Sequence, residues 1–416
     1  MMKVKIKQTN NLNGVVKISG SKNAALAIVS AAIISKENIV LYNVPNIEDI
    51  RVLLEILNSI GVEVKYYKEK NKLFINAKNI INNVKTNLVT KLRASYYLMG
   101  AIISRKKHMS INFPGGCNFV SRPIELHLKA FKLMNIEVEA TNKIKLTRKR
   151  YISSVIDFPV ITVGGTVNAI LASVLNTCET VITNAAIEPE VLDMINFLNK
   201  IGASIIVKNN REIHITGVKK LRGGSYKIMF DRIEAGSYLF LAASHPLSIV
   251  TITDVKPQLM SIVLTTLKQM GCKITIYKNK IKLESPTMLN GINLKVGPYP
   301  MFPTDLQPIV CASLIKANTK SIIEDLVYIG RNSHINELKK LSADINVCET
   351  KIVINPNELY GDIIKAHDLR CAFSLIIATS ISKGMSIIED IDYIYRGYEN
   401  IENKLRKLSV NIDVIV

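Results

Sequence analysis

A chain of 416 residues that is 48% hydrophobic is long enough to bury two separate cores, and it contains no run of 18 apolar residues, so no membrane-spanning helix is expected. Six cysteines, at positions 117, 178, 272, 311, 348 and 371, form no CxxC pair and no ligand spacing, which argues against a metal site and against a disulfide framework. The formal net charge of +20 suits an anionic partner, but the basic residues are dispersed, tryptophan is absent and no nucleic-acid-binding signature is present, so a small anionic substrate is expected and nucleic acid is not.

Met1-Met2-Lys3-Val4-Lys5-Ile6-Lys7 alternates charged with apolar residues and lacks a secretory core, so a cytoplasmic protein is expected. From Ala24 to Ile34 the chain reads as a buried helix. An amphipathic helix then ends in Ile60-Gly61-Val62-Glu63-Val64, and the same signature recurs as Met134-Asn135-Ile136-Glu137-Val138, Ile201-Gly202-Ala203-Ser204-Ile205, Met270-Gly271-Cys272-Lys273-Ile274, Leu341-Ser342-Ala343-Asp344-Ile345 and Leu408-Ser409-Val410-Asn411-Ile412. Its second residue stands at 61, 135, 202, 271, 342 and 409, giving steps of 74, 67, 69, 71 and 67 residues. In each copy an apolar residue closes the helix, Gly, Asn or Ser leaves it through a left-handed conformation, and apolar–polar alternation announces a strand. One α/β unit has been used six times.

Upstream of each signature an apolar, Ala-rich helix begins, at Ser21-Lys22-Asn23, Leu92-Arg93-Ala94, Gly165-Thr166-Val167, Ile233-Glu234-Ala235, Thr304-Asp305-Leu306 and Leu369-Arg370-Cys371. Ser21, Thr166 and Thr304 are N-cap candidates, and Glu234 or Asp305 in a first turn suits the positive end of the helix dipole. Lys22, Arg93 and Arg370 oppose that dipole, at roughly 0.3 to 1 kcal/mol each. Either a bound anion compensates them, or their long side chains reach solvent or a carboxylate. Three in equivalent positions favour an anion-binding cleft.

One stretch stands outside the repeat, Phe113-Pro114-Gly115-Gly116-Cys117-Asn118-Phe119-Val120-Ser121-Arg122-Pro123-Ile124-Glu125-Leu126-His127. It puts Cys117 on a loop beside a cation, where a thiol can serve as acid or nucleophile, whereas Cys178, Cys311 and Cys371 sit among apolar residues and read as packing groups in helices.

With Gly20-Ser21-Lys22-Asn23-Ala24-Ala25, Leu92-Arg93-Ala94-Ser95-Tyr96-Tyr97, the 114–126 loop, Asn184-Ala185-Ala186-Ile187-Glu188-Pro189-Glu190, Asp231-Arg232-Ile233-Glu234-Ala235-Gly236, Phe302-Pro303-Thr304-Asp305-Leu306-Gln307, Asp368-Leu369-Arg370 and Arg396-Gly397-Tyr398-Glu399, the chain resembles the UDP-N-acetylglucosamine enolpyruvyl transferases nearly from end to end. The resemblance implies a two-domain inside-out α/β barrel, three repeats per domain, with helices inside and sheets outside. Residues 22–229 would form one domain and residues 1–21 with 230–416 the other, with the active site in the cleft between them. It implies transfer of the enolpyruvyl group of phosphoenolpyruvate to UDP-N-acetylglucosamine without metal or cofactor, by a monomer.

Carried over residue by residue, the resemblance makes Cys117 the proton donor and Asp305 the base, with Lys22, Arg122 and Arg396 holding the carboxylate and phosphate and Arg370 nearby. It assigns the nucleotide sugar to Asn23, Arg93, Arg122, Pro123, Ile124, Glu125, Leu126, Thr162, Val163, Gly164, Asp305, Val327 and Arg331. Beside that reading, Asp305 alone would be a capping carboxylate and Arg331 a solvated cation. Val120 and Glu125 depart from the Gly and Asp usual in the family, and a β-branched residue at 120 predicts loop closure of different shape or rate. A catalytically slow or silent paralogue and the shikimate-pathway transferase are the alternatives.

Overall fold

The computed structural model describes residues 2–113, 115 and 124–415. The chain divides into two compact units, an inserted unit Gly20–Met229 and a split unit made of Met1–Ser19 with Phe230–Val416. The expectations for Cys117, Val120, Arg122 and Pro123 fall outside the described residues.

Each unit repeats a buried helix, an amphipathic helix and a four-stranded sheet. In the inserted unit the helices are α1 (Lys22–Ala32), α2 (Glu48–Ser59), α3 (Tyr97–Arg105), α4 (Glu125–Leu133), α5 (Val163–Ser173) and α6 (Pro189–Lys200); in the split unit they are α7 (Arg232–Ser244), α8 (Ser261–Gln269), α9 (Gln307–Ser313), α10 (Ser333–Lys340), α11 (Leu369–Ile381) and α12 (Ile401–Lys407). The odd-numbered helices are apolar on every side and lie in the cores: no residue of α7, α9 or α11 is exposed. Their hydroxyls turn inward on their own backbone, as Ser30 does to Leu26 O, Ser173 to Ala169 O, Ser237 to Ile233 O and Ser313 to Ile309 O, so a polar group enters the core already hydrogen-bonded. The even-numbered helices carry a stripe instead; α2 buries Ile50, Leu53, Leu54, Ile56 and Leu57 and leaves its other face wetter.

All six sheets share one strand plan, parallel–antiparallel–antiparallel. In one, Ser154–Asp157 runs parallel to Glu179–Thr183, which pairs antiparallel with Glu212–Thr216, which pairs antiparallel with Ser204–Lys208. Burial alternates along these strands, so each sheet covers core helices with one face and meets solvent with the other. The three sheets of the inserted unit close on themselves when Gly224–Lys227 pairs in parallel with Ile39–Tyr42. In the split unit the N-terminal segment completes two sheets: Asn13–Lys17 lies parallel to Ile249–Thr253, and Lys3–Lys7 pairs with both Met385–Glu389 and Ile412–Ile415.

The six helix exits behave alike. Gly61, Asn135, Gly202, Gly271, Ser342 and Ser409 all take positive φ, at 81°, 57°, 105°, 93°, 72° and 69°. The helix starts depart from expectation at three places. Thr162, not Thr166, caps α5, and Thr166 is buried one turn later, where its hydroxyl accepts the Ala186 N–H. Thr304 caps nothing, since its hydroxyl is given to Asp325. Arg93 opens a 3-10 turn, Arg93–Tyr96, ahead of α3. Cys311 and Cys371 are fully buried in helices, but Cys178 sits half-buried in a bend after α5. Among the described residues no helix is long and apolar enough to cross a membrane.

Candidate active site

In the split unit the candidate residues gather on Asp305. Its 3-10 turn, Thr304–Leu306, leads into α9, and the Thr304 hydroxyl donates to Asp325 Oδ2 at 2.7 Å. Asp325 Oδ1 accepts the N–H groups of Val327 and Tyr328, at 2.8 and 3.0 Å, which folds the turn that carries Val327 and Arg331. Arg331 is only 4% exposed and is no solvated cation: it donates to Thr304 O at 2.5 Å and to Asp305 Oδ1 at 3.2 Å, with its guanidinium over the Tyr328 ring.

The second Asp305 oxygen accepts Arg370 Nη2 at 2.9 Å. Arg370 is the second residue of α11, whose cap, Asp368, takes the N–H groups of Arg370 and Cys371. Its other nitrogen reaches the Tyr398 hydroxyl at 3.3 Å, which is shared with Ser237 at 2.7 Å. Burial works against the Arg370 charge, but Asp305, Tyr398 and Asp231 outweigh it and hold the guanidinium above its ordinary pKa, while burial pushes the Tyr398 hydroxyl up to about 12. The Asp305 side chain stays 25% exposed although Arg331 and Arg370 are 5% and 8% exposed, so two buried arginines aim a carboxylate that solvent can still reach. Arg396 ends the 3-10 turn Ile391–Arg396, half-buried, two residues before Tyr398.

In the inserted unit Lys22 meets Asp49 Oδ2 at 2.8 Å, with 12% and 6% of the side chains exposed. Of the two explanations for helix-start cations, the carboxylate is therefore realised for both Lys22 and Arg370. Asn23 is exposed in the first turn of α1, which Ser21 caps. Arg93 lies 5.4 Å from the Tyr96 ring, and that ring lies 5.4 Å from His127. Ile124 precedes α4 without a side-chain cap, Glu125 is exposed and Leu126 half-buried. Thr162 accepts the Gly165 N–H at 3.2 Å, leaving Val163 and Gly164 at the N-terminal end of α5, where helix N–H groups lack internal partners. A Cβ on Gly164 would stand 2.6 Å from His127 Cε1, so the segments around 93, 124–127 and 162–164 meet at one imidazole.

The model of the family described as EPSP synthase (3-phosphoshikimate 1-carboxyvinyltransferase) matches residues 6–405. A UDP-N-acetylglucosamine 1-carboxyvinyltransferase of Clostridium botulinum is 38% identical over 417 residues, covering 99% of both chains. The chain belongs to the enolpyruvyl transferase family. A second relative of the same name from Carboxydothermus hydrogenoformans is 36% identical, covering 99% of this chain and 98% of its own, and one from Staphylococcus aureus is 35% identical over 98% of each. In fold, the enolpyruvyl transferase NikO of Streptomyces tendae superposes with a TM-score of 0.88 at 21% identity, over 100% of this chain and 99% of that one, and EPSP synthase of Acinetobacter baumannii with 0.75 at 18%, over all of both.

In this enolpyruvyl transferase Asp49, Asp325, Tyr398 and His127 stand beside the candidate residues although no repeat position marks them. Asp49 looks like an ordinary first-turn acid of α2, and Asp325 lies at the end of a strand. Adjacency is the signal for the other two: Tyr398 stands in Arg396-Gly397-Tyr398-Glu399, and His127 closes the 113–127 stretch.

Proposed function

We propose that this enolpyruvyl transferase moves the enolpyruvyl group of phosphoenolpyruvate to the 3-hydroxyl of UDP-N-acetylglucosamine, releasing phosphate, as the first committed step of peptidoglycan synthesis. The reading is carried by full-length identity of 35–38% to proteins of that name. The Asp305 geometry supports it chemically. A carboxylate fixed at both oxygens and still open to solvent can take the hydroxyl proton as attack proceeds, even as a weak base.

In the addition, the sugar oxygen bonds to C2 of phosphoenolpyruvate and Cys117 gives its proton to C3. In the elimination, a methyl proton leaves, the C–O bond to phosphate breaks and the double bond re-forms. Because that bond, not P–O, is broken, phosphate is never passed to an acceptor, and Lys22, Arg122 and Arg396 with Arg370 supply the positive charge the leaving group needs. Arg93, Asn23, the 122–126 and 162–164 segments, Val327 and Arg331 hold the nucleotide sugar. The protein acts in the cytoplasm as a monomer and takes small molecules, not nucleic acid. Mass spectrometry of the products tests this: with phosphoenolpyruvate and both acceptors present, UDP-N-acetylglucosamine should gain the enolpyruvyl group, and its appearance on shikimate 3-phosphate instead would overturn the reading.

A further inference from the structure

His127 is buried on α4, with its ring against Tyr96 of the Arg93–Tyr96 turn on one side and against Gly164 at the start of α5 on the other. Its Nδ1 lies 2.8 Å from Asn168 Nδ2, and Asn168 Oδ1 lies 2.9 Å from the Gly100 N–H. A backbone N–H can only donate, so the Asn168 atom facing Gly100 is the carbonyl oxygen. That sends the amide nitrogen, which can only donate, to His127 Nδ1, which accepts. The ring proton is thereby placed on Nε2. Burial, with the Arg93 cation in support, pulls the imidazole down to about 4, so it is neutral near pH 7.

The imidazole then stands over the backbone of Gly164, where a Cβ would lie 2.8 Å from Nε2. Nε2 has no hydrogen bond to another described residue, so its N–H is left facing the N-terminal turn of α5. On its other side the ring packs against Tyr96, over which Arg93 lies. Asn168 itself is fully buried in α5 and close against α3, since a Cβ on Gly100 would lie 2.6 Å from Asn168 O.

We propose that His127 is a positioning residue of the nucleotide-sugar site: fixed by Asn168 as the Nε2–H tautomer, it sets the first turn of α5 at Gly164 against the Arg93–Tyr96 turn and α4, and offers its remaining donor to an oxygen bound at that turn. The proposal rests on the substrate reading above.

Nitrogen-15 NMR of the histidine rings in the ligand-free protein, with His127 assigned by its loss in His127→Gln, tests the tautomer without reference to activity. Nδ1 should be unprotonated and Nε2 protonated; the reverse overturns the proposal. Asn168→Asp keeps an acceptor for Gly100 but presents only acceptors to His127, drawing a proton to Nδ1. In that variant KM for UDP-N-acetylglucosamine should rise about tenfold, the scale of one hydrogen bond, with kcat and KM for phosphoenolpyruvate nearly unchanged. His127→Ala should show the same split more strongly and His127→Gln part of the recovery. A changed tautomer in Asn168→Asp with an unchanged KM for the nucleotide sugar would refute the positioning role. Wild-type protein that releases no phosphate with this acceptor would instead refute the substrate reading.

Discussion

The two units put different residues at the same repeat position. At the three positions that the repeat equates, the inserted unit carries Lys22, Arg93 and Thr166, and the split unit carries Glu234, Asp305 and Arg370. The repeat determines where a side chain emerges; the sign of its charge is free to vary. In the split unit the charges satisfy one another, Asp305 with Arg370 at 2.9 Å and Glu234 with Lys404 at 2.6 Å. The inserted unit has cations, one of them on Asp49, and exposes helix N-termini around His127. One unit thus orients a carboxylate and the other presents donors, which suits a reaction that must take a proton from a hydroxyl while holding several oxyanions.

The comparison breaks first at Asp305. Asp305→Asn should keep the fold and lower turnover about a thousandfold, the scale of a lost general base, in a phosphate-release assay at saturating substrates. Turnover within a few-fold of wild type would make the two-arginine cradle a structural device only. Glu234 occupies the equivalent position one repeat earlier but is 2% exposed, and it accepts from Lys404 and from the Ser19 N–H. Glu234→Leu should therefore act on stability, by roughly 3 kcal/mol, because it leaves the largely buried Lys404 ammonium without its counter-charge and with only the Ser19 hydroxyl as partner; urea unfolding measures it.

Acid should separate the units next. Burial lowers the pKa of His245 and His334 in the split unit and of His127 in the inserted unit to about 4 in each case. These rings are neutral in the native state and titrate near 6.5 when unfolded, so the unfolded chain binds more protons between those values. Their contribution is whole above about pH 6.5 and declines as the pH falls toward about 4, by roughly 1.4 kcal/mol per pH unit for each histidine. The split unit, with two, should lose urea resistance faster between pH 6.5 and pH 4.5 than the inserted unit; equal loss by local fluorescent reporters would contradict the assignment. The smallest effect expected is Gly164→Ala, whose methyl would stand 2.6 Å from His127 Cε1 and force the ring or the turn to move: KM for the nucleotide sugar should rise several-fold and the melting temperature should fall by about a few degrees.

The scaffold was legible because its signals are local. A left-handed exit needs Gly, Asn or a tolerated Ser directly after the last apolar residue, and all six exits are written that way. The burial of the odd-numbered helices follows from their being apolar all round. What periodicity could not reveal is partner choice across the chain. Lys22 finds Asp49, Arg331 finds Asp305 and His127 finds Asn168 because the sheets and buried helices bring those elements together, not because of their spacing. The same holds for the N-terminal strands, whose partners lie more than two hundred residues away. Thr304 shows the limit from the other side: a hydroxyl suited to capping was taken by Asp325, a stronger acceptor within reach.

Phosphate release from phosphoenolpyruvate by the purified protein, with UDP-N-acetylglucosamine, with shikimate 3-phosphate and with no acceptor, tests the central claim most directly. Release with the nucleotide sugar alone is the predicted result; release with shikimate 3-phosphate, or none with any acceptor, would contradict it.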